Sequence, residues 1–278
     1  MIKVLRAGTY ITLVDRGRYG YRRYGVPTSG PMDMQSATVA NTLLSNSPED
    51  ALLELYMPGH RLQFSSSATI ALAGAEASIE LDNILIETNQ VYKVKSGSIL
   101  SIGKFRKGSY LYLAIKGGIE SQIVLNSRSP LSTIFPRQIR TGDTLSINEL
   151  KNPISTNVHI APLRINYNGA IQVRPGPEWH LLSDKDKDII TSTQYVISNQ
   201  SNRMGFRMEG LKTRDTYSGI LSSGVMPGTV QLLPSGLPLI LMRECQTTGG
   251  YMRILQIASD SINQLAQRSP DLKVIFNV

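Results

Sequence analysis

The chain has 278 residues, of which 41% are hydrophobic and 18% charged, a balance that excludes an intrinsically disordered protein and predicts a sizeable core. The formal net charge of +8 favours an acidic partner or an anionic ligand, although the basic residues are spread along the chain. In the densest basic stretch, residues 16–24, glycine and tyrosine alternate with arginine, as in some proteins that bind single-stranded nucleic acid. No nucleic-acid-binding motif accompanies it, so we expect no nucleic-acid partner.

Cysteine and histidine usage narrows the class of protein further. Cys245 is the only cysteine, so we expect no intrachain disulfide and a reducing, cytoplasmic compartment. The histidines at 60, 159 and 180 lack metal-binding spacing, and we expect no metal site. No apolar run approaches membrane-spanning length and the first residues lack a signal-peptide core, so no membrane association is expected.

Short apolar runs separated by turn residues dominate the chain, beginning at its first residues. Period-2 alternation with frequent turns predicts a mainly β protein built as a sandwich or barrel. Strands are predicted at residues 1–6, 68–73, 77–81, 90–94, 98–102, 110–115 and 237–242. Turns are predicted at residues 82–83, 95–97 and 106–108.

Helical spacing of apolar residues occurs in few places. The strongest helix is predicted from Met32 to Leu44. A short second helix is predicted at residues 47–50, with Ser47 as N-cap and a proline at the first helical position. Two further helices are predicted near residues 183–190 and 260–268.

A polar stretch without periodicity at residues 149–157 predicts a domain boundary. We therefore divide the chain into two β-rich lobes. Residues 1–152 form an N-terminal lobe that carries a loop rich in glycine and arginine and the first helix. Residues 153–278 form a C-terminal β-rich lobe.

The first candidate site is the long loop at residues 15–33, which precedes the first helix. Loops of this length with this many glycines are often functional, although a connecting surface loop is the alternative. Arg18 offers a rigid fork for a carboxylate or phosphate, and the backbone N–H groups before the helix favour negative charge. The candidate residues of this loop are Arg18, Tyr21, Ser29, Gly30 and Asp33.

A second motif, residues 174–179, contains two prolines and a glycine that make a rigid corner. We expect Trp179 to pack in the core beneath this corner. An ion pair between Arg174 and Glu178 is an alternative structural role for the two charged residues of the motif.

A third motif, residues 201–210, alternates charged and apolar residues and predicts a strand. The apolar side chains are expected to face the core: Met204, Phe206 and Met208. The charged side chains are expected to share the opposite face, as a solvated surface or as a ligand wall: Arg203, Arg207 and Glu209.

The most informative stretch follows the predicted strand at 237–242. A carboxamide, two hydroxyls and two adjacent glycines arrive together there and predict a polar binding loop, because glycine lets backbone N–H groups approach a ligand closely. Gln231, at the centre of the preceding strand, needs hydrogen-bond partners if it is buried. The candidate residues are Gln231, Glu244, Gln246, Thr247, Thr248, Gly249, Gly250 and Tyr251.

The general catalytic motifs are missing from the sequence. Glycine-rich dinucleotide and phosphate loops are absent, and so is the Gly-x-Ser-x-Gly pattern of α/β-hydrolases. Cys245 has no neighbouring histidine that would mark it as a nucleophile. No catalytic residue is assigned from the sequence.

Together these motifs resemble the allophanate hydrolase subunit 2 family, also called the KipA-like or biotin-dependent carboxyltransferase-like family, whose members include the C subunit of the bacterial 5-oxoprolinase complex. The resemblance runs over nearly the whole chain. The matching motifs, in family order, lie at residues 15–21 with 25–30, 174–177, 201–205, 227–231 and 246–251.

The resemblance implies a cyclophilin-like β-barrel architecture and a heteromeric complex with a KipI-like (allophanate hydrolase subunit 1) protein and a LamB/YcsF-like subunit. It also implies an enzyme, an ATP-dependent 5-oxoprolinase that opens 5-oxoproline to glutamate, with ATP as the co-substrate. In that reaction arginines would bind phosphate and carboxylate groups, and neutral side chains would bind the lactam amide. The residues of the right chemistry are Arg18, Arg203, Arg207, Gln231, Gln246, Thr247 and Thr248.

Three positions depart from the family pattern, at Val14, Glu244 and Met252, and the first two bear on substrate contacts. The chain carries no biotin-attachment motif. Two alternative functions follow from the same family. One is a KipA-like regulator that binds a kinase inhibitor, and the other is a carboxyltransferase component that acts on a urea-like amide.

Overall fold

A computed structural model of the protein describes residues 1–131, 138–148, 165–270 and 272–278. The described chain is mainly β, with three α-helices and sheets that curl in a barrel-like manner, which confirms the predicted fold class. The chain forms two compact units. The first comprises residues 1–18 and 33–165, and the second comprises residues 19–32 and 166–278.

The first unit is built on one large antiparallel sheet. Its elements are β1 (Ile2–Ala7), β2 (Tyr10–Val14), α1 (Met34–Leu43), β3 (Leu52–Tyr56), β4 (His60–Phe64), β5 (Ala68–Leu81), β6 (Ile84–Ile86), β7 (Val91–Val94), β8 (Ile99–Ile115) and β9 (Thr144–Leu145). Within the described residues the strand order is β2-β3-β8-β4-β1-β9, and β5 pairs with β6, β7 and β8. The long strands β5 and β8 hold the sheet together.

Alternating apolar side chains of these strands form the core of the first unit. Leu72 and Leu113, opposite each other on β5 and β8, are fully buried. Helix α1 packs against both strands and begins at Asp33, whose carboxylate accepts hydrogen bonds from the backbone N–H groups of Gln35 and Ser36, both at 3.1 Å. This N-cap satisfies two of the unpaired N–H groups at the helix start.

The second unit is built on a separate sheet. Its elements are 3₁₀ turns at Arg22–Tyr24 and Trp179–Leu181, β10 (Ile171–Pro175), α2 (Asp184–Ser192), β11 (Tyr195–Ile197), β12 (Gly205–Glu209), β13 (Ser223–Gly224), β14 (Thr229–Leu232), β15 (Pro238–Leu241), β16 (Thr248–Gly249), β17 (Met252–Ile257), α3 (Ser259–Ala266), β18 (Lys273–Val274) and β19 (Phe276–Asn277). Within the described residues the order is β18-β11-β12-β15-β14-β17-β10-β19, and β13 pairs with β16 as a separate ribbon.

Three of the four predicted helices are confirmed as α1, α2 and α3. The helix predicted at residues 47–50 is wrong, because this segment closes on itself as a turn. The Asp50 N–H donates to the Ser47 carbonyl at 3.0 Å, and the Asp50 carboxylate accepts from the Ser47 N–H at 2.8 Å. The proline and the acids therefore serve a turn rather than a helix start.

The predicted strands are largely confirmed, with one wrong turn. No turn forms at residues 106–108, since β8 continues through them and Lys107 lies opposite Glu76 on β5. Register irregularities on β5 between Gly74 and Ile79 accommodate the glycine and basic residues that read as a turn in the sequence. The turn at 82–83 is confirmed and joins β5 to β6.

The predicted domain boundary at residues 152–153 lies outside the described residues and stays a prediction. The two units of the structure cannot be separated by a single cut in the sequence, because each is made of two separate stretches of the chain. Residues 19–32 belong to the second unit, although residues 1–18 belong to the first. The long loop predicted as one site is therefore divided between the two units.

Among the described residues, none of the helices combines the length and the apolar character that crossing a bilayer requires. No group of three or more His, Cys, Asp or Glu side chains suited to a metal ion occurs in that part of the chain.

Candidate binding site in the second unit

The polar loop predicted from the sequence lies between β15 and β17, at residues 242–251. Its short strand β16 pairs with β13, with Gly249 opposite Ser223 and Thr248 opposite Gly224. Two further backbone hydrogen bonds extend this ribbon: Val225 N–H donates to Thr247 O at 3.0 Å, and Ile220 N–H donates to Gly250 O at 2.8 Å. The ribbon fixes the loop backbone, while Thr248 is exposed and Gln246 is half-buried.

Gln231 lies directly beneath this loop. It is fully buried on β14, and its Nε2 donates to the Tyr251 carbonyl at 3.3 Å. Its Oε1 is buried without a hydrogen-bond partner in the described residues. A Cβ added at Gly249 would lie 2.7 Å from Nε2, so only glycine lets the loop pass this close to the carboxamide. Because an unpaired buried carboxamide oxygen is costly, this position points to a ligand or water as the missing partner.

Arg203 clamps the N-terminal segment onto the loop. Its side chain is only 10% exposed, its Nε donates to Glu244 Oε1 at 2.5 Å, and its Nη2 donates to the Gly30 carbonyl at 2.6 Å. The Ser29 N–H donates to the Arg243 carbonyl at 3.1 Å. Ser29 and Gly30 have φ of +57° and +88°, a left-handed backbone that turns the segment against Arg203. Arg203, Glu244, Ser29 and Gly30 are thus brought together, as part of the framework of the loop.

Sequence reasoning missed Arg22, which lies in the same region. Its Nη2 donates to the Val225 carbonyl, next to β13. Its Nη1 is buried and has no hydrogen-bond partner among the described residues. The only signal in the sequence was its place in the basic stretch 16–24, where several arginines are equivalent candidates.

Cys245 lies within the electrostatic reach of Arg22. Burial raises the pKa of the Cys245 thiol, against the opposing effects of Arg22 and Arg243. A buried thiol with a raised pKa is protonated near neutral pH and is a poor nucleophile. Cys245 is therefore a packing residue in the described structure.

Buried polar atoms without partners collect on the segments joined to the loop. One is a cationic donor, one is a carboxamide acceptor and two are hydroxyls: Arg22 Nη1, Gln231 Oε1, Ser29 Oγ and Ser223 Oγ. Each belongs to a residue that contacts the segment 243–251, lies in its partner strand β13, or binds Val225 next to that strand. These are the kinds of group that hydrogen-bond a small molecule carrying both an oxygen acceptor and an N–H donor.

Arg18 and Asp33, two other predicted site residues, belong to the first unit. Arg18 is fully buried and donates to the carbonyls of Val124, Ser129 and Pro130 at 3.1, 2.7 and 3.3 Å. Asp33 is the N-cap of α1. In the structure both side chains serve the local fold of the first unit.

The remaining predicted residues lie further out on the second unit. Arg207 and Glu209 are exposed on β12 and Phe206 and Met208 are buried, which confirms the predicted alternation within the strand. Arg203 does not share the charged face as predicted, because it precedes the strand and is buried. Met204 is 45% exposed, so its predicted core position is wrong. The strand begins only at Gly205, after a turn in which the Asn202 side chain accepts from the Met204 N–H at 2.8 Å. Tyr21, which is half-buried, precedes the 3₁₀ turn at Arg22–Tyr24, and Tyr251 is 41% exposed.

The corner at residues 174–179 pairs differently from either prediction. Glu178 bonds Arg253 rather than Arg174, with Oε1 2.6 Å from Nη2 and Oε2 2.9 Å from Nε. The hydrogen bonds from Arg253 lower the pKa of Glu178. Trp179 is half-buried in a 3₁₀ turn rather than placed in the core, so the predicted packing is wrong.

The fold and these motifs define a class of protein. Residues 24–278 match the family model described as carboxyltransferase domain, subdomain A and B, and the chain belongs to this family. This confirms the resemblance that the sequence motifs carry.

Particular relatives fall in two groups. The chain is 33% identical to the C subunit of 5-oxoprolinase from Escherichia coli (strain K12), over 96% of its own length and 87% of that protein. It is 31% identical to the urea amidolyase of Lachancea kluyveri, over 99% of its own length but only 17% of that larger protein.

Two solved structures match nearly the whole of this chain, and each belongs to a longer protein. The crystal structure of TTHA0988 superposes on the whole chain with a TM-score of 0.90 and 26% identity, and the chain spans 55% of TTHA0988. The urea amidolyase of K. lactis superposes on 99% of the chain with a TM-score of 0.89 and 27% identity, and the chain spans 18% of that protein. The chain thus corresponds to about half of one solved relative and under a fifth of the other.

Proposed function

We propose that the protein is one subunit of a multi-subunit, cytoplasmic 5-oxoprolinase, which opens 5-oxo-L-proline to L-glutamate with hydrolysis of ATP. Support comes from the match to the C subunit of 5-oxoprolinase over nearly the full length of both proteins. The structural observation that carries the proposal is Gln231, whose buried Oε1 lacks a partner in the described residues beneath the glycines of the loop.

The chemistry of a lactam fits this set of groups. A lactam ring presents one N–H donor and one carbonyl acceptor side by side. The Gln231 Oε1 would accept from the lactam N–H, and the Arg22 Nη1 would donate to an anionic or carbonyl oxygen of the substrate. Binding in this mode requires the loop at 246–251 to move outward, because both atoms are enclosed in the described structure.

ATP is required in this proposal because amide resonance protects the lactam C–N bond. Transfer of the terminal phosphoryl group of ATP to the lactam oxygen removes that resonance. One water then adds to the ring carbon, and the ring C–N bond breaks as the nitrogen takes a proton, which leaves the amine and an acyl phosphate. A second water hydrolyses this acyl phosphate to the side-chain carboxylate of glutamate. Phosphate and ADP are the other products. Arg22 and the hydroxyls of Ser29 and Ser223 are suited to an oxyanion that develops on the substrate.

Partner proteins complete the proposed enzyme. The described chain supplies a buried carboxamide and an arginine, while a glycine-rich phosphate loop is absent from the sequence. We therefore assign the binding of ATP to the assembled complex, with a KipI-like protein and a LamB/YcsF-like subunit as the partners.

A second function is favoured by the matches to urea amidolyase, which cover 99% of this chain. The chain would then be a carboxyltransferase component that acts on a urea-like amide, and a biotin-carrying subunit would have to supply the carboxyl group. A urea-like amide offers the same N–H donor and carbonyl acceptor as a lactam. The two functions therefore differ in the partner protein more than in the groups of this site.

The test is reconstitution with the cognate partner proteins and measurement of ATP hydrolysis that depends on 5-oxoproline. We expect activity only when this chain is present, and a Gln231→Leu variant should assemble but lose it. Full activity without this chain would overturn the proposal. Carboxylation of a urea-like amide that depends on a biotin-carrying partner would support the second function instead.

A further inference from the structure

We propose that Glu178 and Arg253 form a positioning pair that holds the binding loop in its closed geometry. The inference rests on the proposed function only in naming the loop as the substrate site. The contacts of the pair all lie within the second unit.

The proline-rich corner at 174–178 folds against β17 at the point where Arg253 lies. A Cβ added at Gly176 would lie 2.1 Å from the Arg253 carbonyl oxygen, so glycine is required for this approach. The Glu178 carboxylate then receives three hydrogen bonds from Arg253: from the backbone N–H and from Nε, both at 2.9 Å, and from Nη2 at 2.6 Å. Because both side chains are largely buried, the arginine is held in one orientation.

The remaining nitrogen of Arg253 reaches the loop. Its Nη1 donates to the Gly224 carbonyl at 3.2 Å, and Gly224 lies opposite Thr248 in the β13–β16 ribbon. One guanidinium group thus joins the rigid corner to β13, which pairs with the strand β16 of the loop. Neither end of this connection involves a residue that is expected to touch the substrate.

Arg253 is also the register partner of Gln231 across β14 and β17. The register shifts between Val230 and Gln231, an irregularity that changes the spacing of the two strands at the proposed pocket floor. Arg253 of the positioning pair and the buried Gln231 are therefore held opposite each other on neighbouring strands. Loosening the pair should free the loop without moving Gln231 out of the core.

The first experiment compares hydrogen exchange in the isolated chain and in its Glu178→Gln and Arg253→Lys variants. Glu178→Gln removes the charge of the carboxylate. Arg253→Lys keeps the positive charge, but a single ammonium group does not hold Glu178 and Gly224 together. The matched control is Glu49→Gln, which breaks an exposed ion pair with Arg16 in the first unit.

We expect the amides of Ile220 and Val225, which donate to the loop, to exchange about tenfold faster in both variants, with the core amides of β14 unchanged. Fluorescence of Trp179, the only tryptophan, should shift in Glu178→Gln because the residues are adjacent. Unchanged exchange at Ile220 and Val225 overturns the proposal. Equal acceleration of all amides of the second unit also overturns it, since that result reports a general loss of stability.

The second experiment uses the reconstituted complex. We expect KM for 5-oxoproline to rise about tenfold in Arg253→Lys with kcat nearly unchanged, because a looser loop weakens binding more than chemistry. Unchanged KM overturns the positioning role even if exchange is faster. If the complex has no 5-oxoprolinase activity, the proposed function fails while the exchange result still decides whether the pair positions the loop.

Discussion

Arg18 and Arg22 belong to the same glycine-rich loop, yet the structure gives them opposite situations. Arg18, in the first unit, is fully buried and donates to three backbone carbonyls. Arg22, in the second unit, donates to the Val225 carbonyl and keeps a buried Nη1 without a partner in the described residues. Both residues fit the general expectation for an anion-binding arginine. The difference between them is whether backbone carbonyls already accept hydrogen bonds from every nitrogen of the guanidinium group.

The first unit shows how an arginine becomes part of a scaffold. Asp15 accepts hydrogen bonds from the hydroxyls of Ser127 and Ser129, and thereby shapes the segment whose carbonyls Arg18 binds. In the second unit the equivalent task falls to Arg203, which binds Glu244 and Gly30. Arg22 and Gln231 keep atoms beside the loop that no described residue pairs, and this makes them candidates for ligand contact.

The largest expected effect is on stability, from Arg18→Ala. Three backbone carbonyls, two of them buried, would lose their donor, so we expect the free energy of unfolding to fall by about 3 kcal/mol or more. Chemical denaturation followed by circular dichroism measures this. Arg16→Ala, at a side chain that is 57% exposed, is the control and should change little. If the Arg18→Ala protein is stable but inactive, Arg18 has a functional role rather than the structural role described above.

The next effect is on activity, from Gln231→Leu. Loss of the carboxamide should lower kcat/KM of the reconstituted complex by about 100-fold, because a buried hydrogen-bonding group of the site is removed. The free energy of unfolding should change by about 1 kcal/mol or less, since leucine removes the unpaired Oε1 together with the long hydrogen bond from Nε2 to the Tyr251 carbonyl. Gln200→Leu, at an exposed position of the same unit, serves as the control. A large loss of stability in Gln231→Leu would indicate a structural carboxamide.

Arg22→Ala should have a smaller effect on activity, visible mainly in substrate binding. We expect KM to rise by about 10- to 100-fold, the usual worth of one hydrogen bond to a charged group. The thermal midpoint should stay close to that of the unaltered protein. Arg23→Ala is the matched control, because Arg23 is an exposed neighbour in the same 3₁₀ turn. Equal effects of the two substitutions would remove Arg22 from the proposed site.

The smallest expected effect is a pH-dependent difference between the protein and its Glu178→Gln variant. The hydrogen bonds from Arg253 lower the pKa of Glu178 in the folded protein. The carboxylate therefore contributes stability above its unfolded pKa, and this contribution is lost as the pH falls through the lower folded pKa.

We expect a difference in unfolding free energy of about 1 kcal/mol at neutral pH that vanishes in strong acid. Unfolding titrations of both proteins from neutral to acid pH provide the measurement. A difference that grows as the pH falls contradicts the assignment.

Much of the architecture follows from local patterns in the sequence. Alternation predicted the strands, and Asp33 and Ser183 mark helix starts where their side chains accept backbone hydrogen bonds. In one of the failures, long-range pairing overrides a local signal. Glycine and basic residues at 106–108 read as a turn, but pairing with β5 carries β8 straight through them.

The candidate site was only partly predictable for the same reason. The loop at 246–251 was recognisable, because its residue types imply a polar binding surface. The partner of Glu178 was not, because Arg253 lies 75 positions further along the chain. The hydrogen bonds that satisfy Arg18 were not predictable either, because the carbonyls that accept them lie far away in the sequence, as that of Ser129 does.

The clamp between Arg203 and Gly30 has a consequence for the order of folding. It joins residues 173 positions apart, and the contact between Arg22 and Val225 spans 203. Contacts of such high sequence separation form late, because loop closure must precede them. During synthesis the segment 19–32 emerges early, but its partners Arg203 and Val225 are made only after most of the chain. We therefore expect the candidate site to be the last part of the second unit to become native.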